Sequence, residues 1–501
     1  MTNSAESTSL SQGQLQKGRL FIAGTCSDAG KSIITAGLCR IFKQDGLHPA
    51  PYKAQNMSLN SYATPEGLEI GRAQAVQAEA CGIPCHTDMN PVLLKPTGDL
   101  NSQVILNGKP VGNRSAREYY NSEHQKPLFD KAYEAFERLA ARYYPIVMEG
   151  AGSISELNLR HRDIVNMPMA LRVGASVILV TDIERGGVFA SVYGSIMLLP
   201  PQERALVKGV IVNKFRGDIS LFDEGRRILE EITGVPVLGI VPWFNHIHIE
   251  EEDSVSLSRK CKTAVDGRLN VCVVALPRMS NFTDFNVLQR IDGVNLYFSA
   301  DAAQLQRADV IILPGSKNTI GDLMFLHENQ LGDVILQARR QGRSVVGICG
   351  GYQMMGRMVH DPHGVEGDVT QCPGLGLLPM DTTLEKEKTT RQTEFRFRGS
   401  EAVCRGYEIH MGISRVDAFQ EPLTMTPDGH RDGVWMDERC WGSYMHGILD
   451  NAAVLQSLLS PYGIDLTGLE DDYTYKERQY NLLADHLRGC LDLDAIYRMI
   501  Q

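Results

Sequence analysis

The chain has 501 residues, of which 43% are hydrophobic and 22% are charged, and its formal net charge at pH 7 is −10. At roughly 150 residues per domain, this length predicts two to four domains with real hydrophobic cores. Lysines and arginines are scattered along an acidic chain, which argues against nucleic acid or an anionic membrane as a partner. No apolar run approaches the ~18 residues that a membrane-spanning helix needs.

Eleven cysteines occur at irregular spacing. An odd and irregular set in a chain of this length favours reduced thiols and therefore a cytoplasmic protein. Residues 1–18 are rich in Ser, Gln and Thr and have no apolar centre, so we expect a disordered leader rather than a signal peptide.

A strand, a glycine-flanked loop and a helix open the first domain. The apolar residues 20–23 lead into GTCSDAGKS at 24–32, and an apolar-periodic helix follows. This context predicts a phosphate-binding loop, in which Lys31 neutralises phosphate charge and the Ser32 hydroxyl ligates Mg²⁺. Five residues rather than the usual four separate Gly24 from Gly30. The candidate ATP-binding residues of the loop are Gly24, Thr25, Asp28, Gly30, Lys31 and Ser32.

Polar residues follow other predicted strands of the same domain. Lys53, Gln55 and Asn56 lie in a run of amides and hydroxyls that suits an oxygen-rich substrate, although a hydrogen-bonded polar loop explains the composition equally well. Glu149 ends a buried strand and precedes glycines, where doubly wound sheets bind their ligands, and it is the preferred Mg²⁺ ligand or holder of a water molecule. The alternative role of Glu149 is to cap the following turn.

Two later strands also end in polar residues. Arg185 follows one of them and would clamp an anionic substrate. Asn213 follows the next and would read the adenine edge of ATP. Strands and helices that alternate on this scale predict an α/β fold with a mostly parallel sheet.

The chain turns polar and charged between residues 246 and 268, with an acidic run at 250–253 that we expect to be solvated. A new α/β pattern begins at residue 269. We therefore predict a leader at 1–18, a P-loop domain at 19–245, a linker at 246–268 and a second doubly wound domain, with C-terminal helices, at 269–501.

A cysteine at a strand-to-helix turn is the main feature of the second domain. The β-branched run at 345–348 stops at Cys349, and Gly350 begins a predicted helix. This is the geometry of a nucleophile elbow, in which the helix N-terminus favours the thiolate and the Gly350 N–H donates to an oxyanion. Gly315, after another strand of the domain, would supply the second oxyanion-hole N–H. A buried core cysteine is the alternative.

A thiol nucleophile needs a base within hydrogen-bond reach. His446 lies between residues that allow close approach to another loop, and we predict that it is the base. His410 lies in an alternating strand pattern and is the weaker candidate.

The residues around Cys349, together with 314–316 and 446–447, resemble a class I glutamine amidotransferase domain. The first domain resembles the P-loop fold of dethiobiotin synthetase, and the fusion in this order resembles the cobyrinate amidase group. The segments that carry the resemblance to this group are 53–60, 89–96, 280–284 and 406–412. The resemblance spans nearly the whole chain.

The resemblance implies ATP, Mg²⁺ and glutamine as reactants or cofactors and a corrinoid as substrate. The four segments are most similar to group members that amidate the b, d, e and g carboxylates of adenosylcobyrinic acid a,c-diamide. By resemblance, Cys349 attacks the glutamine amide, and the ammonia reaches an acyl phosphate in the first domain. We therefore expect the two active sites to face each other across the domain interface.

The sequence departs from the related families at two places. Many class I amidotransferases have Glu two residues after the catalytic His, but this chain has Ile448, which predicts a Cys–His dyad. Whether Glu408 or Asp450 orients His446 stays open. Residues 71–75 contain no acid where dethiobiotin synthetase has a second Mg²⁺ carboxylate, so that ligand stays unassigned.

Three other functions are compatible with parts of the sequence. The enzyme of the group that makes the a,c-diamide has the same domains. A P-loop partition or regulatory protein with an inactive amidotransferase module would not need Cys349 and His446. A dethiobiotin synthetase would leave the second half of the chain unexplained.

Overall fold

The structure is a computed structural model that describes residues 18–98, 100–119, 122–250, 261–417 and 421–501. The predicted leader up to residue 17 and residues 251–260 of the predicted linker lie outside the described residues. The predicted α/β class with two sheet-containing domains is confirmed. None of the helices in the described part is both long enough and apolar enough to cross a bilayer.

Within the described residues, the first domain has a central sheet of six parallel strands. Residues 177–180, a continuous apolar run, are fully buried, as expected for a parallel strand covered by helices on both faces. In spatial order the strands are Val237–Pro242, Val207–Phe215, Ser176–Asp182, Arg19–Gly24, Ile146–Glu149 and Ala50–Tyr52. The α-helices of this domain are Lys31–Gln44, Arg72–Cys81, Ala116–Tyr119, Ser122–Ala140, Met167–Val173, Val188–Met197, Pro201–Arg204 and Asp223–Thr233.

Two smaller sheets lie at the carboxyl end of this domain's strands, beside the second domain. One consists of Gln55–Met57, Val92–Pro96, Asn101–Leu106 and Lys109–Ser115, and the other of Ser61–Ala63 and Glu69–Gly71. They carry the polar segments 53–60 and 89–96 toward the domain interface, where the Ser61 N–H donates to Asn281 Oδ1 at 2.9 Å.

The second domain has its own sheet, in which five parallel strands and one antiparallel edge strand are described. In spatial order they are Val294–Ser299, Leu269–Val274, Val310–Leu313, Ser344–Ile348, Cys440–Ser443 and Val434–Asp437. The helices are Ala302–Gln306, Thr319–Glu328, Leu331–Arg340, Gly350–Met354 and Ala452–Leu459. The remaining strands are Met279–Ser280, Gly315–Ser316, Met358–His360, Gln371–Pro373, Met380–Phe397, Val403–Val416, Thr424–Met425 and Arg431–Asp432. Met380–Phe397 and Val403–Val416 form a long hairpin.

The last two helices, Asp472–Arg488 and Leu493–Ile500, pack on the first domain, although chain order had placed them with the second. Their apolar side chains join the core beneath helix Lys31–Gln44. The contact is close, because a Cβ at Gly37 would lie 2.2 Å from Leu487 Cδ1. Packing of an apolar helix face, rather than chain order, decides to which core a terminal helix belongs.

The acidic run at the predicted linker is not wholly solvated. Glu250, its first residue, is half-buried, accepts a hydrogen bond from Arg72 at 2.7 Å and forms an ion pair with Lys476 at 2.9 Å. Burial alone would raise the pKa of Glu250, but these two cations lower it to about 2. The carboxylate is therefore an ionised structural contact between the linker, the first domain and the C-terminal helix.

Candidate active sites

The predicted phosphate loop joins strand Arg19–Gly24 to helix Lys31–Gln44. Gly30 has φ +96, and a Cβ there would lie 2.0 Å from Asn213 Nδ2, so the position requires glycine. The Asn213 amide donates to the Ala29 carbonyl at 2.9 Å. Asn213 therefore fixes the loop, and its predicted contact with adenine stays a prediction. The Thr25 hydroxyl donates to Thr181 at 3.2 Å.

Lys31 lies inside the loop, where its ammonium donates to the carbonyls of Cys26 at 3.0 Å and Gly152 at 2.8 Å. Such a lysine, held at the centre of a loop of backbone N–H groups, is placed to neutralise phosphate oxygens. The predicted role of Lys31 is consistent with this position.

The predicted Mg²⁺ ligands meet as expected from their strand tips. The Ser32 hydroxyl donates to Glu149 Oε1 at 2.9 Å, and Lys53 Nζ donates to the same oxygen at 2.9 Å. Gln77 Nε2 donates to Glu149 Oε2 at 2.5 Å. Burial would raise the pKa of Glu149, but the Lys53 and Lys31 ammoniums and these hydrogen bonds lower it.

The donor set fits Mg²⁺. Ser32 Oγ and Glu149 Oε1 are 2.9 Å apart, the separation of neighbouring ligands in an octahedron with metal–oxygen distances of about 2.0–2.1 Å. No group of three or more His, Cys, Asp or Glu side chains with metal-binding geometry occurs in the described residues. Mg²⁺ itself takes one or two protein ligands and completes its shell with phosphate and water.

A cavity of ≈810 Å³ opens beside these residues, and we call it the synthetase cavity. Both domains line it, because residues 276–279 and Phe282 of the second domain close one side. The predicted site residues that line it are Asp28, Gly30, Lys31, Ser32, Lys53, Gln55, Asn56 and Glu149.

Arg185, the predicted substrate clamp, does not line the synthetase cavity. Its exposed guanidinium pairs with Asp28 Oδ2 at 3.4 Å and lies 3.8 Å from Asp182 Oδ2. Lys214 donates to the same Asp182 oxygen at 3.1 Å. The position of Arg185 is at the outer side of the phosphate loop, because the strand that precedes it ends two strands away from Glu149.

Cys349 lies at the turn between strand Ser344–Ile348 and helix Gly350–Met354. Its φ is +50 and its ψ −108, an unfavourable conformation for a non-glycine residue and the one expected of a nucleophile elbow. The Cys349 N–H donates to the Ser443 carbonyl at 2.8 Å, which holds the turn against the neighbouring strand. A Cβ at Gly351 would lie 2.0 Å from the Leu313 carbonyl oxygen, so the helix packs against the sheet at its closest approach.

His446 interacts with Cys349, as predicted, and a third residue orients it. The Asp284 carboxylate binds His446 Nδ1 at 2.7 Å and accepts the Gly447 N–H at 3.1 Å. Burial would lower the pKa of His446, but the carboxylate of Asp284 and the sulfur of Cys349 raise it to about 10. The ring therefore lies between two groups that favour its protonated form.

A third residue thus joins the predicted dyad, and we call Cys349, His446 and Asp284 the triad, whose catalytic role stays a prediction. Neither Glu408 nor Asp450 holds the ring. Glu408 binds Arg391 at 2.8 Å and His410 at 3.2 Å. Asp450 lies beside Gly447, where burial and Asp472 raise its pKa. Segment 280–284 carries part of the family resemblance, but Asp284 was not predicted to be a site residue. Its position after a strand tip in the domain that contains Cys349 is the signal that could have identified it.

The two predicted oxyanion-hole glycines flank the triad. A Cβ at Gly350 would lie 2.7 Å from the Ser316 backbone nitrogen, and a Cβ at Gly315 would lie 3.1 Å from His446 Cε1. The backbones around Gly315 and Gly350 are therefore in contact next to the thiol. Their role as oxyanion donors stays a prediction.

A second, smaller cavity of ≈50 Å³ lies at Cys349, and we call it the thiol cavity. The long hairpin lines this cavity with Leu384 and Lys388, and the first domain lines it with Lys95. Glu69 joins the two domains there, since it accepts from Lys95 at 2.8 Å and from Lys388 at 2.5 Å. At this volume the thiol cavity admits a few water molecules.

The two cavities share a wall, residues 279–282, which we call the partition. Met279 and Phe282 face the synthetase cavity, whereas Ser280 and Asn281 face the thiol cavity. Asp284 follows directly and holds His446. On the first-domain side, Asn60 lines the synthetase cavity and the next residue, Ser61, bonds Asn281.

Comparison with known proteins agrees with this architecture. Residues 20–256 match the family model of the CobQ/CobB/MinD/ParA nucleotide binding domain, and residues 270–454 match that of the CobB/CobQ-like glutamine amidotransferase domain. Cobyric acid synthases from Phocaeicola vulgatus and Parabacteroides distasonis are 57% and 58% identical over 96% of this chain and 98% of each relative. The cobyric acid synthase of Syntrophobacter fumaroxidans is 48% identical with the same coverage.

The fold and the site define a glutamine-dependent amidotransferase ligase with a nucleotide-binding domain. The alignments cover nearly all of this chain and of each relative, so the likeness extends beyond either domain alone. The chain belongs to the cobyric acid synthase family.

Proposed function

We propose that this chain converts adenosylcobyrinic acid a,c-diamide to cobyric acid by amidating its b, d, e and g carboxylates. ATP activates each carboxylate and glutamine supplies each nitrogen. The membership of the chain in the cobyric acid synthase family supports the overall reaction. The geometry of the two cavities supports the steps below.

The glutamine step takes place at Cys349. Its thiolate attacks the side-chain amide carbon of glutamine, and the Gly350 and Gly315 backbone groups stabilise the oxyanion. The His446 imidazolium then protonates the departing nitrogen, which leaves as NH₃. Water hydrolyses the thioester with neutral His446 as the base, and Asp284 keeps the ring in the orientation that both steps need.

The ATP step takes place at the phosphate loop. A corrinoid carboxylate attacks the γ-phosphorus, ADP leaves, and the resulting acyl phosphate is a good acyl donor, unlike the carboxylate itself. Lys31 and the loop backbone stabilise the charge on the transferred phosphoryl group. Bound Mg²⁺, held by Ser32 and Glu149, would neutralise further phosphate charge. NH₃ then displaces phosphate and forms the amide.

The observation that carries the proposal is the partition. Ammonia is mostly protonated at neutral pH and is then no nucleophile, so it must move between the sites without meeting bulk water. A wall of residues 279–282, with the triad on one face and the synthetase cavity on the other, makes that path short.

The test uses Cys349→Ala, purified ATP-Mg²⁺ and adenosylcobyrinic acid a,c-diamide, with mass spectrometry to count the amides added. The wild-type protein should add four amides with glutamine. Cys349→Ala should add none with glutamine and four with ammonium salts at high pH. Loss of both activities would make Cys349 structural, and efficient amidation of cobyrinic acid at a and c would favour the a,c-diamide synthase reaction instead.

A further inference from the structure

The thiol cavity contains two opposite charges that the chemistry at Cys349 does not use. The lining residues include Lys317 and Glu366 in addition to Lys95 and Lys388. Glu69 already binds both Lys95 and Lys388. Among the described residues, neither Lys317 nor Glu366 has an opposite charge within ion-pair distance, and the two attract each other only over a longer separation.

Glu366 is held firmly in place. One carboxylate oxygen accepts the Ile320 N–H at 2.9 Å, at the beginning of helix Thr319–Glu328. The Asp361 carboxylate accepts the N–H groups of Val365 and Glu366, each at 2.8 Å, so the backbone cannot turn the side chain away. Burial raises the pKa of Glu366 to about 7, which shows that its charge lacks full compensation.

Lys317 lies two residues before the same helix. Its backbone N–H donates to the Arg278 carbonyl at 2.9 Å, which ties it to the segment just before the partition. Burial and the nearby Lys95 ammonium lower the pKa of Lys317. An anionic ligand would relieve both effects, just as a cationic ligand would for Glu366.

We propose that Lys317 binds the α-carboxylate of glutamine and Glu366 binds its α-ammonium. The proposal rests on the proposed glutaminase function of Cys349. A free amino acid carries both charges, whereas a glutamine residue in a peptide carries neither. The pair therefore selects free glutamine through two charge-assisted contacts in the cavity that contains Cys349.

The experiment pairs each charge of the protein with one charge of the ligand. Glutaminase kcat and KM are measured for glutamine, for 4-aminobutanamide, which lacks the carboxylate, and for glutaramate, which lacks the amine. The wild-type protein should show kcat/KM on the order of 10–100-fold lower for each analogue than for glutamine, since each lacks one hydrogen bond to a charged group.

The variants should remove this discrimination one charge at a time. Lys317→Met should lower kcat/KM for glutamine by on the order of 10–100-fold, mainly through KM, and leave that for 4-aminobutanamide unchanged. Glu366→Gln should do the same for glutamine and leave glutaramate unchanged. Lys131→Met is the control, a half-exposed lysine paired with Glu134 on the first domain and outside both cavities, and it should show neither pattern.

The outcomes separate this inference from the proposed function. Wild-type protein without glutaminase activity would refute the proposed function. Glutaminase activity with equal kcat/KM for glutamine and both analogues would overturn the assignment of Lys317 and Glu366 without any variant. A uniform loss on all three ligands, with ammonia-driven amidation intact, would also overturn it, because a structural role moves all ligands together.

Discussion

The two cavities differ in volume by more than tenfold, ≈810 Å³ against ≈50 Å³, although they share the partition. In the proposed function, the synthetase cavity admits a macrocycle that presents four different carboxylates in turn. The thiol cavity, which side chains from both domains line, takes one small amino acid. The two volumes therefore differ in the same direction as the two proposed substrates.

The largest expected effect on activity comes from a substitution at the thiol cavity. Asp284→Asn should lower glutaminase kcat by about 10²–10⁴-fold, because the ring loses its orientation and the pKa of His446 falls from about 10. Ammonia-driven amidation should persist. In Asp284→Asn the rate of Cys349 alkylation by iodoacetamide at pH 7 should also fall, because less of the His446 ring beside the thiol is protonated. Asp450→Asn is the control, and an unchanged kcat in Asp284→Asn would refute the triad.

On the side of the synthetase cavity, Lys31→Met should separate the two reactions in the opposite sense. Amidation driven by either glutamine or ammonia should fall by about 10²–10³-fold, because the phosphoryl group loses a positioned cation. Basal glutaminase should stay within a few-fold of wild type. ADP release and ammonia release report the two reactions. Lys43→Met, on the same helix but at the surface, should change neither.

The contact of Glu250 with Arg72 and Lys476 should affect the stability of the protein rather than its chemistry. At pH 7, Glu250→Gln should destabilise the protein by about 3 kcal/mol, because the pKa of Glu250 is about 2 in the fold and 4.5 when exposed. A lowered pKa contributes stability above 4.5 that is lost as the pH falls toward 2.

Urea denaturation midpoints of wild type and Glu250→Gln should therefore approach each other as the pH falls from 5 to 2. A constant difference over that range would contradict the ion-pair origin. Glu224→Gln, whose side chain is 78% exposed, should leave the midpoint unchanged.

The smallest effect on kinetics should come from substitution of Arg185, because this residue lies near the synthetase cavity but does not line it. Arg185→Ala should change KM for the corrinoid by less than about 3-fold, because the guanidinium is exposed and its ion pair with Asp28 is weak. Steady-state kinetics at varied corrinoid concentration measure this. A tenfold rise would restore the predicted role of Arg185 as a substrate clamp.

Residues close together in the sequence were the ones whose geometry could be predicted. The phosphate loop and the elbow at Cys349 each consist of a strand, a short turn and a helix, so local backbone rules place their side chains. Ser32 and Glu149 lie far apart in sequence, but both follow parallel strands, and parallel strands end at one edge of a sheet. Their 2.9 Å contact was therefore accessible to prediction.

Asp284 shows where such prediction stops. It is 162 residues from His446, and the sequence offered Glu408 and Asp450 as equally plausible partners. Only the packing of the segment after strand Leu269–Val274 against the loop at Gly447 selects among these three acids. Glu250 is similar, because its burial depends on Arg72 and Lys476 arriving from two other elements.

The sequence by itself determined the two α/β domains, the phosphate loop, the nucleophile and its histidine, because short-range patterns of apolar residues, glycines and polar strand ends specify them. Only the tertiary structure decided the third member of the triad, the placement of the C-terminal helices on the first domain and the shared wall between the cavities. Those features depend on which surfaces are complementary across long stretches of chain, and complementarity is a property of the packed side chains rather than of any one segment.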